Sequence, residues 1–236
     1  MKIIILAAGI GARLGHSYPK ALTKLVNGET ILEQQIKNIT SYFALNDIYI
    51  VVGFKKELIM DAVPHLAFIY NEKFHITNTS QSLLRALEKL KDSDVIWMNG
   101  DVVFDKRILE KMICFPKSCM VTNRAEVDNE AVRYSTNGRG EILKVSKEVK
   151  NSEGEALGIN LVRKADLPLI LEGLRKCKEN DYFEKGIEYA IDKGLKIYPF
   201  DIMEYFCAET DFQEDLNKIN NVIQQIHSQK YKNENA

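Results

Sequence analysis

The stretch KIIILAAGIGARL occupies residues 2–14, and Pro19-Lys20 follows five residues later. Its first half, Lys2–Leu6, is apolar and β-branched, which predicts a short buried strand. The small residues after it let the backbone fold tightly around a polyphosphate, with N–H groups directed at the oxygens. Arg13 and Lys20 add two cations that would neutralise charge as a phosphoanhydride breaks. The stretch therefore predicts a loop that binds a nucleoside triphosphate.

Two other glycine-rich loops do not fit these residues. A P-loop needs Gly-x-x-x-x-Gly-Lys-Ser/Thr, and no such run follows the strand. The dinucleotide-binding fingerprint needs a third glycine, but Leu14 stands at that position. It also needs an acidic residue near the end of the second strand, where this sequence has Val51-Val52-Gly53. An ordinary glycine-rich turn between a strand and a helix is the remaining alternative. The accompanying Arg13 and Pro19-Lys20 favour the nucleotide-binding interpretation.

Bulk composition restricts the class of protein. The 236 residues are 45% hydrophobic, enough for a substantial core in one α/β domain. The net charge of −1 argues against general nucleic-acid binding, which requires a basic surplus. The short apolar start predicts a strand and no signal peptide, and no segment has the length of a membrane span. The four cysteines lack zinc-site spacing, so we expect reduced thiols in a cytoplasmic protein without membrane insertion.

Strand and helix patterns alternate along the first half of the chain. This alternation predicts an α/β fold with a Rossmann-like, mostly parallel sheet and helices on both faces. Beyond about Phe115 the pattern changes to short strands and turns. We expect one domain over residues 1–226, with a nucleotide-binding part to about 115, a small acceptor-side β subdomain over about 116–200, and a flexible tail over 227–236. The predicted strands are Lys2–Leu6, Asp47–Val52, Leu66–Tyr70, Asp94–Met98, Cys119–Thr122, Ala131–Tyr134, Glu141–Val145, Ala156–Leu161 and Lys196–Phe200; the predicted helices follow Thr30 and cover Lys56–Ala62, Ser80–Leu90, Asp166–Cys177, Asp181–Lys193 and Phe212–Ile226.

The opening residues resemble the nucleotidyltransferase family that begins Leu-Ala-Ala-Gly-x-Gly-x-Arg-Leu/Met and continues with Pro-Lys. The resemblance extends over nearly the whole chain and implies the fold of nucleotide-diphospho-sugar transferases. It also implies release of pyrophosphate from an NTP and attachment of the NMP to a phosphate on a second substrate. Arg13 and Lys20 would then be catalytic. The implied nucleotide-binding residues at this end are Leu6, Ala7, Ala8, Gly9, Gly11, Ala12, Arg13 and Lys20.

Two acidic segments are candidates for a magnesium site. Asp101, in Asn99-Gly100-Asp101, follows a predicted strand at the edge where α/β folds bind ligands, and resembles the family's metal-binding Gly-Asp step. The segment from Glu209 to Leu216 resembles Glu-Ile-Asp-Thr-x-x-Asp-Leu, in which Asp211 would complete the site, with Glu209 beside it. Helix capping is the simpler alternative for these acids, and Asp201 is a rival for the second metal position.

A polar segment before the third predicted helix bears on the base. Asn71 and the run from Asn78 to Leu83 resemble the Asn-x-x-x-Ser-Leu region of the small cytidylyltransferases for phosphocholine and similar ligands. Such a segment offers amide and hydroxyl groups to a base edge or ribose. It could instead be a plain helix start capped by Ser80 or Thr79. The resemblance favours CTP, with Asn78, Ser80, Ser82 and Gly100 contacting the nucleotide.

The acceptor side rests on four residues. Lys147 lies where family members often carry a lysine for the acceptor phosphate, and Glu155 belongs to a segment resembling the family's Gly-Glu motif beside the acceptor. Tyr182 and Glu184 begin a helix whose aromatic and carboxylate groups suit an ammonium ligand. The alternative is that Lys147 is simply a solvated surface lysine and that the aromatic residues of this helix belong to the core.

The predicted function is Mg²⁺-dependent transfer of CMP from CTP to a small amine-bearing phosphate or phosphonate. Candidate acceptors are phosphocholine, phosphoethanolamine, aminoethylphosphonate and an amino-acid-like phosphate. The first alternative is a sugar-1-phosphate nucleotidyltransferase that uses UTP, dTTP or CTP. Others are a molybdopterin-type acceptor, which no residue selects, and a non-catalytic nucleotide sensor on the same fold. The sequence leaves the oligomeric state open, with a homodimer among the candidates.

Overall fold

A computed structural model describes residues 1–11, 17–124, 131–202 and 205–234. Their main sheet has nine strands: seven follow the order β10-β6-β9-β4-β1-β2-β3, and the pair β7–β8 branches from β9. The strands are β1 Lys2–Ala7, β2 Ile48–Val52, β3 Ala67–Tyr70, β4 Val95–Asn99, β6 Cys119–Asn123, β7 Arg133–Thr136, β8 Ile142–Ser146, β9 Gly154–Val162 and β10 Tyr198–Asp201.

The centre of this sheet is parallel, as predicted. Strand β1 pairs with β2 and β4 in parallel, whereas β9 runs antiparallel between β4 and β6. The central strands are nearly continuous runs of apolar residues because both of their faces are covered. Side chains of β1 alternate between the two faces: Ile3 and Ile5 join one core, Ile4 and Leu6 the other.

The described residues contain seven α-helices; six of them cover the two faces of the sheet, and α7 packs against β5 (Val102–Phe104) in a separate small cluster. Helices α1 and α4 pack on one face through residues such as Leu32 and Ile108, while α3, α5 and α6 pack on the other through Leu83 and Ile187. The helices are α1 Ile31–Ile39, α2 Lys56–Ala62, α3 Thr79–Lys89, α4 Arg107–Cys114, α5 Leu167–Lys176, α6 Phe183–Ile191 and α7 Gln213–Glu234. The α/β fold with helices on both faces is therefore confirmed. No helix in the described part of the chain is long and apolar enough to span a membrane.

Several local predictions need correction. Asn78 caps α3, so the assignment of the cap to Ser80 or Thr79 was wrong. Tyr182 precedes α6 at its N-cap position, and α7 continues to Glu234 instead of ending at Ile226. Strands β6, β9 and β10 extend the central sheet, and only β7 and β8 branch from it.

Two strands and one helix were not predicted. Strand β5, Val102–Phe104, and strand β11, Cys207–Glu209, form a separate antiparallel pair, and α4 follows β5. The pair has a direct consequence for function. It joins the acidic segment at Asp101 to the acidic segment at Glu209, although these segments lie more than 100 residues apart in sequence.

Candidate functional site

A cleft of about 770 Å³ opens at the carboxyl ends of β1 and β4. Ligands of open α/β sheets bind at this edge. One wall consists of Leu6, Ala7, Gly9 and Gly11, which end β1 and form the turn after it. The segment Asn99–Asp101, which follows β4, forms the floor.

Gly11 brings the turn after β1 against Lys20. Its φ of +65° lies in the left-handed region, where a side chain causes strain. A Cβ at Gly11 would also lie 3.1 Å from the Cβ of Lys20, closer than a normal van der Waals contact. Glycine at this position therefore places the backbone of the turn directly beside the Lys20 stem.

The Lys20 ammonium joins two carboxylates across the cleft. Its Nζ donates to Oδ2 of Asp101 at 2.7 Å and to Oδ1 of Asp211 at 2.6 Å. Burial lowers the pKa of Lys20, but the charge of Asp101 and the hydrogen bonds to both carboxylates outweigh it and raise that pKa above its ordinary value. Lys20 is therefore a fixed cation at the centre of the site.

The backbone around Asp101 is held from two sides. The Gly100 amide donates to the carbonyl of Leu6 at 2.9 Å, and a Cβ at Gly100 would collide with that carbonyl. Thr210, which is fully buried, donates its amide and its hydroxyl to the Asp101 carbonyl at 3.1 Å and 3.0 Å. Thr210 was not predicted. Its position between Glu209 and Asp211 was the available signal, but the pairing of β5 with β11 is needed to interpret it.

Glu209 is a half-buried acid that lines the cleft beside these groups. Its Oε1 accepts a hydrogen bond of 2.8 Å from Nδ2 of Asn99. Burial, followed by the negative charge of Asp101, raises the pKa of Glu209 to about 8. Gly158 packs on this pair with a φ of +65°, and a Cβ there would collide with the Glu209 carboxylate and the Asn99 amide.

The donor set fits a magnesium ion that is completed by phosphate oxygens. Mg²⁺ is usually bound by one or two carboxylates together with substrate phosphates and water. Asp101 and Asp211 already share one cation, the Lys20 ammonium, so both carboxylates are directed at the same cationic position. The described residues contain no group of three or more His, Cys, Asp or Glu side chains arranged to hold a metal alone. Asp201 lies elsewhere, at the end of β10 beside Arg124.

The cleft lining also contains all four predicted acceptor residues, which we call the acceptor wall: Lys147, Glu155, Tyr182 and Glu184. Glu184 is 8% exposed, and its Oε2 is buried without a hydrogen-bond partner among the described residues. Burial raises the pKa of Glu184 to about 7, against the nearby charge of Lys147. Tyr182 is 48% exposed at the mouth of the wall. Behind it, Phe183 packs its ring edgewise on Trp97, with ring centroids 5.8 Å apart.

Some predicted nucleotide residues lie outside the lining. Ala8 and Ser80 are buried, and Ser82 is held by Nδ2 of Asn71 at 3.0 Å. Asn78 does line the cleft, although its side-chain oxygen accepts from the Thr79 amide at 2.8 Å. Two predicted residues, Ala12 and Arg13, lie outside the described residues.

Other lining residues had not been predicted. Aromatic side chains come from three segments: Phe74 and His75 after β3, Phe206 before β11, and Phe212 after it. Lys218 contributes from α7, where its spacing from Asp215 places both on one helix face. That spacing was a usable signal, whereas nothing in the sequence distinguishes the aromatic residues from ordinary core positions.

Comparisons with known proteins identify the family of this chain. The model of the MobA-like NTP transferase domain matches residues 3–167. The bifunctional protein GlmU of Methanococcus maripaludis is 37% identical over 119 residues, which are 48% of this chain and 28% of that protein. The CMP-5'-(3-aminopropyl)phosphonate synthase of Streptomyces rubellomurinus is 31% identical over 130 residues, 51% of this chain and 20% of that protein. These matches thus span about half of this chain and less than a third of each relative.

Solved structures confirm the fold over nearly the full length. The inositol-1-phosphate CTP transferase of T. maritima superposes with a TM-score of 0.78 at 18% identity and covers 95% of each chain. The CTP:phosphocholine cytidylyltransferase LicC of Streptococcus pneumoniae gives a TM-score of 0.75 at 19% identity, over 94% of this chain and 98% of the other. Because the family model matches well over half of the sequence, this chain belongs to the family of MobA-like NTP transferase domains.

Proposed function

We propose that this protein transfers CMP from CTP to a small amine-bearing phosphate or phosphonate and releases pyrophosphate. The observation that carries the proposal is the joining of Lys20, Asp101 and Asp211 beside the glycine turn, in the same cleft as the buried carboxylate of Glu184. One wall suits a polyphosphate and its cation. The acceptor wall offers the Glu184 carboxylate, which could pair with a positively charged group at the end of a small acceptor.

The reaction we infer is a displacement at the α-phosphorus of CTP. An oxygen of the acceptor phosphate forms a bond to that phosphorus while the bond to the bridging oxygen of pyrophosphate breaks. The acceptor oxygen is already anionic, so no general base is required, and catalysis rests on positioning and charge neutralisation. Lys20 is the residue we assign to the α-phosphate, where its ammonium stabilises the charge that develops on the oxygens.

The acidic pair has a separate role in this proposal. Asp101 and Asp211 would hold Mg²⁺, which when bound neutralises phosphate charge and orients the phosphates. Arg13 remains our candidate for the β- and γ-phosphates.

The acceptor assignment rests on Glu184 and Tyr182. A buried carboxylate with an unpaired oxygen is costly, and an ammonium group that pairs with it recovers part of that cost. An exposed tyrosine ring at the same wall can also face an ammonium. Lys147 provides a cation for the acceptor phosphate. The names of three similar proteins support the choice of substrates, since each contains CTP or CMP and one contains an aminoalkyl phosphonate.

Pyrophosphate release tests this proposal when the four NTPs are crossed with phosphorylated amines, aminoalkyl phosphonates and sugar phosphates in the presence of Mg²⁺. The proposal expects release with CTP and at least one amine-bearing acceptor. Release with UTP or dTTP and a sugar phosphate would retain the reaction type and overturn the base and the acceptor. Absence of release by protein that binds CTP would favour a nucleotide sensor.

A further inference from the structure

Gln35 is a fully buried polar residue in the middle of α1. It is 0% exposed, and the neighbouring core consists of aliphatic side chains such as Leu32 and Ile39. Burying an amide in such surroundings is unfavourable unless hydrogen bonds compensate. A hydrophobic residue at this position would fit the apolar face of the helix better, so the polar side chain calls for an explanation.

The Gln35 amide spans the turn that carries Asp101. Its Nε2 donates to the carbonyl of Asn99 at 2.9 Å and to the carbonyl of Val102 at 2.7 Å. These two carbonyls lie on either side of Gly100 and Asp101 in sequence. Both protons of one amide group are therefore used to close this short turn from the core side.

The Gln35 contacts complement those from two other elements. Thr210, after β11, holds the Asp101 carbonyl, and the Gly100 amide is bonded to the carbonyl of Leu6 in β1. With Gln35 below, the backbone is held on both sides of the residue whose carboxylate meets Lys20. Groups that orient a ligand from behind often affect metal affinity by one to two orders of magnitude.

We infer that Gln35 is a positioning residue that holds the Asn99–Val102 turn, so that the Asp101 carboxylate points at the bound cation and nucleotide. This inference rests on the proposed function for its effect on catalysis. The geometric part, the bracing of the turn by the Gln35 amide, stands on the hydrogen bonds alone.

The adjacent residue provides a matched control. Gln34 also lies on α1, and its Nε2 donates to the carbonyl of Phe104 at 2.9 Å, at the far end of β5. Gln34→Met and Gln35→Met are the same substitution on neighbouring residues, and each replaces the amide by a thioether of similar length. Only the second removes bonds to the turn that carries Asp101.

The experiment compares both variants by pyrophosphate release at varied Mg²⁺ and by hydrogen–deuterium exchange. For Gln35→Met we expect the Mg²⁺ concentration at half-maximal rate to rise about tenfold, and the amides of residues 100–102 to exchange faster. For Gln34→Met we expect neither change, even if its melting temperature falls. Equal behaviour of the two variants in both measurements would overturn the inference.

Two features keep the test decisive. If wild-type protein releases no pyrophosphate, the proposed function fails, whereas the difference in amide exchange between the variants still decides whether Gln35 braces the turn. If Gln35→Met does not fold, the wild-type side-chain amide signals can be followed by NMR as Mg²⁺ and CTP are added. The inference expects the Gln35 signals to shift and the Gln34 signals to stay in place; unchanged Gln35 signals would overturn it.

Discussion

Replacement of Lys20 by methionine separates catalysis from folding more clearly than any other substitution in the cleft. The change keeps the aliphatic stem that contacts Gly11 and removes the ammonium that joins Asp101 and Asp211. In the absence of nucleotide, the two carboxylates then lose the ammonium that they share. We expect the variant to fold, to lose turnover, and to respond more strongly to Mg²⁺.

The size of each effect follows from the contacts. Hydrogen bonds to charged groups contribute about 1.5–3 kcal/mol each. The side chains of Lys20, Asp101 and Asp211 are 13%, 20% and 32% exposed, so solvent screens part of that energy. We expect a loss of about 2 kcal/mol in the free energy of unfolding. Removing one preorganised charge from a transition state costs about 3 kcal/mol, so kcat should fall about 100-fold.

Urea denaturation with and without Mg²⁺ provides the second half of the assay. Because the ammonium no longer competes for the two carboxylates, we expect Mg²⁺ to stabilise Lys20→Met more than it stabilises the wild type. The matched control is Lys24→Met, which removes the same charge from an exposed position outside the cleft and should leave turnover unchanged. Near-normal kcat in folded Lys20→Met, or equal Mg²⁺ stabilisation of both proteins, would refute the reasoning.

Three further substitutions have defined outcomes. Gly158→Ala should lower the free energy of unfolding by about 1–3 kcal/mol, because its φ of +65° and a collision with the Glu209 carboxylate both disfavour a Cβ. Gly138→Ala, in open space, should change urea stability little. Glu184→Gln should be more stable than wild type above pH 7, because burial raises the pKa of Glu184 to about 7 and the ionised carboxylate destabilises the folded protein above that pH. In urea titrations the difference in stability should shrink towards pH 4.5, the ordinary pKa of glutamate. Equal pH profiles of the two proteins would contradict this prediction. Asp211→Asn should raise the Mg²⁺ requirement for pyrophosphate release and Asp201→Asn should not, because only the former residue shares a cation with the floor of the cleft; the reverse order would exclude our metal assignment.

Sequence patterns predicted the elements that form through local signals. The helix Lys56–Ala62 was predicted with its observed limits, and Thr30 caps α1 through a reciprocal pair with Glu33. The β1 strand was also correctly placed, because a short apolar, β-branched run that ends in small residues and glycine strongly favours a buried strand followed by a turn. Burial of Trp97 followed from its position inside a central strand.

Features that depend on distant pairing were missed. Strand β5 has three residues, too few for a periodic signal, and exists because β11 pairs with it. The clamp that Thr210 places on Asp101 depends on this pairing. The cap of α3 was misassigned because Asn78, Thr79 and Ser80 are all good capping residues, and only the backbone geometry distinguishes them. The role of Gln35 was missed for the same reason, because its hydrogen bonds to the Asn99 and Val102 carbonyls depend on how the chain folds around α1.

The most direct test of nucleotidyl transfer follows the phosphorus atoms of CTP. The protein is incubated with Mg²⁺, an aminoalkyl phosphonate or phosphocholine, and CTP labelled at either the α- or the γ-phosphorus. Our proposal predicts that the α label appears in the acceptor product and the γ label in pyrophosphate. Appearance of the γ label in the acceptor, or retention of both labels in bound CTP, would contradict it.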